Sequence, residues 1–208
     1  MNPQTKPESL PLGRRERRKL EVHARIIEVS LELFDARGVD ATKVFDICER
    51  ADIAQKTFFN HFPSKRHLLR EIAGISLEGL LLQIEEARKQ PISTCARVRF
   101  FFEAIATSAE EAGPMQQELL TELVHVAYQS GTGQEQTRQL HDSFKRLIQD
   151  GLSEGDVNTR HEADTLTEML TGAFYALTFN RAHLEDYPVR VHAQALSNLL
   201  ADAIRKED

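Results

Sequence analysis

The chain has 208 residues, 41% of them hydrophobic and 28% charged, with a formal net charge of −6. That is enough apolar material for one or two packed domains and too much for a disordered chain. A net acidic exterior also argues against a protein that coats nucleic acid with its whole surface.

The charge is unevenly placed: residues 1–70 hold 14 Lys and Arg against 10 Asp and Glu, a net +4, whereas residues 71–208 hold 12 against 22, a net −10. A basic front and an acidic rear fit a protein that presents one end to an anionic partner. Cys48 and Cys95 lack a CxxC spacing, so neither a disulfide framework nor a zinc site is indicated, and their redox activity is left open. No segment reads as a signal peptide and no apolar run approaches the ~20 residues of a spanning helix, so a cytoplasmic protein without a membrane partner is expected.

In chain order, residues 1–13 are polar, contain Pro3, Pro7 and Pro11, and read as a disordered tail. Arg14-Arg15-Glu16-Arg17-Arg18-Lys19 opens the first helix. Cations there oppose the helix dipole by roughly 0.3–1 kcal/mol each, so the run reads as a contact to phosphates or a minor groove, with a solvated helix start as the alternative. The helix continues through Leu20, Ile27, Leu31 and Phe34 to Arg37-Gly38.

The stretch 42–69, TKVFDICERADIAQKTFFNHFPSKRHLL, describes two short helices across a tight turn. Val44, Ile47, Cys48 and Ala51 fall at i, i+3, i+4 and i+7, with Thr42 in an N-cap position. Asp52 tolerates left-handed dihedrals and suits the turn. A second helix restarts near Ala54 with Phe58 and Phe62 pointing inward, leaving Gln55, Lys56, Thr57, Phe59, Asn60 and His61 as an outer face for base edges and phosphates. Gln55 and Lys56, which open this helix, are expected to read bases; Thr57 and His61 are expected on phosphates, and Lys43 is a further candidate. Phe45 and Phe59 offer apolar contact to a thymine methyl or sugar. Ser64 reads as the N-cap of a fourth helix, whose first turn carries Lys65 and Arg66 at its positive end, an arrangement suited to a phosphate.

Thr-x-x-x-Asp-Ile, Ala51, Thr57, the Phe-Asn-His-Phe run and Pro63-Ser64-Lys65 together resemble the N-terminal domain of TetR-family transcriptional regulators over roughly residues 20–70. Two positions depart from the family pattern: Asp52 stands where glycine is usual, and Phe59 where a phosphate-contacting tyrosine is common. The resemblance assigns Lys65 to the family's phosphate-binding lysine.

Beyond residue 65 the chain reads as helix, with breaks near Gln90-Pro91, Gly113-Pro114, residues 130–133, Gly155-Asp156 and Tyr187-Pro188. This predicts an all-α protein: a three-helix helix-turn-helix domain at 14–66, then a six-helix ligand-binding and dimerisation domain at 67–208. The last two helices, about 161–182 and 189–206, carry Leu166, Leu170, Ala173 and Leu177, then Val189, Ala193, Leu196 and Leu200. The resemblance implies that they pair with a second copy as a four-helix bundle, making a homodimer; spacing alone also allows packing within one subunit.

In the middle helices, Phe100-Phe101-Phe102 sends rings around most of one helix, more than one core accepts. Phe101, Ile105, Leu123, Phe144 and Phe174, with His125, Tyr128 and His141 as orienting polar groups, are the candidate effector-binding residues. The resemblance implies a small-molecule effector, apolar or amphipathic, and the acidic body favours a neutral, cationic or amphipathic one over a small polyanion. No HxxxH, HExxH, GxSxG or phosphate-cradling glycine loop occurs. His161-Glu162-Ala163-Asp164 reads as a helix start, so no catalytic residue, metal or cofactor is expected. The expected function is sequence-specific binding of a quasi-palindromic double-stranded operator, most simply as a repressor released by its effector. An activator of the same fold and an architectural DNA-binding protein without effector are the alternatives.

Overall fold

In the computed structural model the described residues are 13–110, 115, 118, 119, 122, 132–184 and 186–206. The expected tail falls almost wholly outside them. Helix α1, Arg14–Arg37, buries Ile26, Val29, Ser30 and Phe34, and the Ser30 hydroxyl is satisfied by donating to the Ile26 carbonyl at 2.6 Å. It ends at Gly38, whose φ of 81° is open to glycine and strained for other residues.

Helix α2, Val44–Ala51, buries Ile47, Cys48 and Ala51, as the spacing predicts. Its N-cap position is Lys43, not Thr42, and the Lys43 amide is satisfied by the Asp46 carboxylate at 3.0 Å. At the other end Asp52 adopts φ 55°, ψ 52°. The Ile53 amide donates to Cys48 O at 3.0 Å and the Asp52 amide to Glu49 O at 3.3 Å, the paired bonds of a Schellman turn. Asp52 thus does what glycine would do. Helix α3, Gln55–His61, follows α2 after three residues and buries Phe58.

Helix α4, Lys65–Lys89, begins at Ser64, whose hydroxyl accepts from the His67 amide at 3.3 Å. Its first half places Leu68, Leu69, Ile72 and Ala73 in a core with Ile26, Phe34, Ile47, Phe58 and Phe62. Its second half places Ile84 and Ala87 in a separate core, built on α5, Thr94–Glu110; α6, Thr132–Glu154; α7, Ala163–His183; and α8, Val189–Ile204. We call the first unit the head and the second the body.

The described residues show eight helices and no strand beyond a single antiparallel bridge, Val157 to Arg205. The remaining body helix expected from sequence falls on residues 111–131, where only four residues are described, each of them helical. Asp156 caps α5, accepting from the Thr94 amide and hydroxyl at 2.7 Å each. Helix α6 approaches so closely here that a Cβ on Gly151 would lie 2.3 Å from Thr94 Oγ1. Glu162 occupies the N-cap of α7 and Asp164 its first turn, where Lys145 pairs with it at 2.7 Å.

Candidate nucleic-acid interface

Because Phe58 and Phe62 turn inward to the head core, the opposite side of α3 must face out. Gln55, Lys56, Phe59 and Asn60 are all exposed, and Lys43 and Phe45 are exposed at the start of α2. Phe59 keeps 48% of its surface and Phe45 58%, large apolar areas for side chains beside buried neighbours. The Phe59 ring stands edge-on to Phe58 at 5.4 Å, so its direction is set by the core beneath it.

Thr57 is half-buried, and His61 turns partly toward α1. The His61 ring lies 5.5 Å from that of His23, which in turn stacks on Phe62 at 4.6 Å and bonds to Glu71 of α4 at 2.5 Å. Desolvation by burial, with the charges of His23 and Lys19, holds the His61 pKa below its ordinary value. At neutral pH His61 is therefore an uncharged imidazole, a weaker phosphate ligand than the sequence suggests. Its Nδ1 is buried with no hydrogen-bond partner among the described residues.

Two sequence assignments are corrected. Thr42 is completely buried, its hydroxyl donating to Gly38 O at 2.8 Å and accepting from Arg37 Nε at 3.3 Å, so it cannot reach DNA. It fastens the loop between α1 and α2 instead. The Lys65 ammonium likewise turns inward, donating to Val39 O at 2.7 Å, Thr42 O at 3.0 Å and Asp40 O at 3.5 Å. A lysine at a helix N-terminus suggests an anion, but three converging carbonyls already use its three protons. By contrast, Arg14, Arg15, Arg17, Arg18 and Lys19 are all exposed along the first turns of α1.

Of the candidate effector residues, Phe101, Phe144 and Phe174 are brought together. Phe101 meets Phe144 edge-on at 5.3 Å and Phe174 at 6.2 Å, and Phe144 lies 6.3 Å from Phe174. Ile105 packs half-buried against the same core. His141 is half-buried on α6, 3.9 Å from Asp142. Leu123, His125 and Tyr128 lie outside the described residues. Of the three successive phenylalanines, Phe101 and Phe102 are buried and Phe100 is 45% exposed. Phe100 lines an open groove of about 820 Å³ between α5 and α8, with Ile92, Arg99, Glu103 and Asn198, and none of the candidate effector residues lines it. Burial pushes the thiols of Cys48 and Cys95 up, away from the reactive thiolate form.

Two short helices joined by a left-handed turn, the second with an exposed polar and aromatic face, define a helix-turn-helix DNA-binding protein. The sequence profile of bacterial regulatory proteins, tetR family, matches residues 26–72. The repressor KstR of Mycolicibacterium smegmatis is 28% identical over 181 residues, covering 86% of this chain and 85% of that protein. A TetR-family regulator from Pectobacterium atrosepticum superposes with a TM-score of 0.77 at 20% identity, covering 95% and 100% of the two chains. The Thermus thermophilus repressor FadR, solved in complex with lauroyl-CoA, gives 0.65 at 18% identity, covering 89% and 96%. Residues 26–72 thus match the DNA-binding domain of TetR-family regulators, and the chain as a whole is similar to TetR-family repressors over most of its length.

Proposed function

We propose that this regulator is a cytoplasmic homodimeric repressor that grips a quasi-palindromic operator through α3 and releases it when an apolar or amphipathic small molecule occupies the body. The observation that carries DNA reading is the outer face of α3: Gln55, Lys56, Phe59 and Asn60 are exposed on a helix whose other side is locked into the head core. Gln55 and Lys56 are assigned to base edges and Phe45 and Phe59 to thymine methyls or sugar. Thr57, Asn60 and Lys43 are assigned to the flanking backbone.

Dimerisation is supported by an apolar stripe that the single chain leaves uncovered. Gly172, Ala176 and Phe179 are exposed along α7, and Val191, Ala195 and Leu199 along α8. Val191 and Leu199 keep more than 60% of their surface. A helix apolar on opposite sides is normally covered on both, and a second copy related by a two-fold axis covers it by forming a four-helix bundle.

The effector class follows from the body's charge and from its relatives. A net −10 over residues 71–208 repels small polyanions. Arg97 offers no local compensation, because it is buried against Gln90 O at 3.1 Å and Glu154 at 2.8 Å. The structurally similar FadR was solved with lauroyl-CoA, whose acyl chain supports an apolar anchor in a body of this fold, while its phosphates are the part that the charge of this body disfavours. A footprint on the DNA flanking the protein's own gene, repeated with apolar, cationic and polyanionic candidates, tests the proposal. It predicts a protected two-fold site released by apolar or amphipathic compounds. Equal protection of unrelated DNA would make the chain an architectural binder instead.

A further inference from the structure

Between α5 and α6 in sequence, the four described residues Met115, Glu118, Leu119 and Glu122 are helical and spaced i, i+3, i+4 and i+7, one face of a helix. All four are committed to the head. Met115 packs against the head core and Leu119, 5% exposed, belongs to it. Glu118 Oε1 accepts from the Val39 amide at 2.9 Å. Glu122, with a side chain 8% exposed, accepts from Arg70 Nε at 3.0 Å and lies 3.7 Å from Arg66 Nε, both on the first turns of α4.

The backbone of Val39 is therefore held on both sides of its α-carbon, its N–H by Glu118 and its C=O by Lys65 Nζ at 2.7 Å. The loop it belongs to fixes where α2 begins, and through the turn at Asp52 it fixes α3. Apolar packing alone tolerates sliding, but hydrogen bonds weaken steeply with misalignment. A nearly buried carboxylate that loses its guanidinium partners also carries an uncompensated charge. The contact is accordingly engaged or released, with little between.

We propose that Glu118 and Glu122 form a latch between body and head. They are positioning residues, acting through Val39 and through Arg66 and Arg70, and release of the latch is the event by which a change in the body reaches α3. The regulatory meaning of the latch rests on the DNA-binding reading above, whereas the latch itself does not.

The test uses the full-length protein with spin labels at Asp35→Cys, exposed on α1, and Gln149→Cys, exposed on α6, diluted with unlabelled chain so that each measured pair lies within one subunit. With the latch intact the head–body distance distribution is narrow. The double variant Glu118→Gln/Glu122→Gln should broaden or shift it and lower the ratio of operator to random-DNA affinity roughly ten-fold, within the usual range of coupling between sites. Glu78→Gln, on the exposed side of α4, should change neither. Reversing the pair as Glu122→Arg/Arg70→Glu should restore much of the narrow distribution, which a merely destabilised head would not do. If the double variant unfolds, Glu118→Gln alone carries the same measurement. An unchanged distribution in a folded variant would overturn the latch. A broadened distribution in a protein whose wild type shows no preference for operator DNA would uphold the latch and refute the DNA-binding reading.

Discussion

In the head, short elements are fastened at their ends by polar groups: Lys65 on three loop carbonyls, Thr42 on Gly38 O, Asp46 on the Lys43 amide and on Arg37 at 2.6 Å. The body, made of helices of 16 to 23 residues, rests instead on buried side chains, with Phe101, Phe102, Phe144 and Phe174 at its centre. A small core cannot set the angle between two helices of seven and eight residues by volume alone, so directional bonds do it. A large core sets its helices by packing, and the polar bonds between body elements, such as Asp156 to Thr94 and Arg88 to Asp150 at 2.7 Å, add to a geometry that buried volume already defines. Polar substitutions should therefore act on the head's geometry, and volume changes on the body's stability.

The largest effect expected from this contrast is in the body. Phe101→Ala removes a ring that touches three other aromatics and should cost about 3–5 kcal/mol of stability. Denaturant unfolding measures it, and a cost below that of a surface substitution would mean the aromatic cluster is not the body's support. Lys65→Ala comes next, at about 1–3 kcal/mol, because it takes the ammonium donor from Thr42 O and leaves Val39 O with only the Thr42 amide at 3.1 Å. Since its ammonium is used internally, the slope of log K against log salt should stay as in wild type. A fall in the slope by about 0.9 would put Lys65 on a phosphate after all.

On DNA, Gln55→Ala and Lys56→Ala should each relax discrimination at particular operator positions by roughly 1–3 kcal/mol with little change in melting temperature. Selection experiments returning the wild-type sequence logo for both would remove α3's N-terminus from base reading. The smallest effect concerns His61. Its pKa is lowered in the folded state, so the unfolded chain takes up the proton more readily and stability is lost as pH falls below about 6.5. His61→Gln should flatten this decline between neutral and mildly acidic pH, as read by melting temperature, and an equal decline in both proteins would contradict the assignment.

The helix-turn-helix was legible because its signals are local: an apolar i, i+3, i+4, i+7 series, a residue able to turn left-handed at Asp52, and a Ser64 cap. The exposed α3 face followed from the same periodicity. Thr42 and Lys65 were misplaced because a hydroxyl or ammonium beside a helix start looks alike in sequence whether it faces solvent or the preceding loop. Only the fold brings Gly38 and Val39 against them. The Phe101, Phe144 and Phe174 cluster joins residues 73 positions apart, and periodicity marks each ring as buried without saying what it meets. The contact of Glu118 and Glu122 with the head was invisible for the same reason, since acidic residues on a helix usually signal a solvated face.

The measurement that bears most directly on the account is operator affinity as a function of half-site spacing. Two α3 helices in a two-fold dimer must enter major grooves about 34–36 Å apart on one side of the duplex. Inserting about five base pairs, half a helical turn, between the half-sites should reduce affinity to the level of random DNA at the same salt. Affinity unchanged by the insertion would contradict paired reading by two recognition helices.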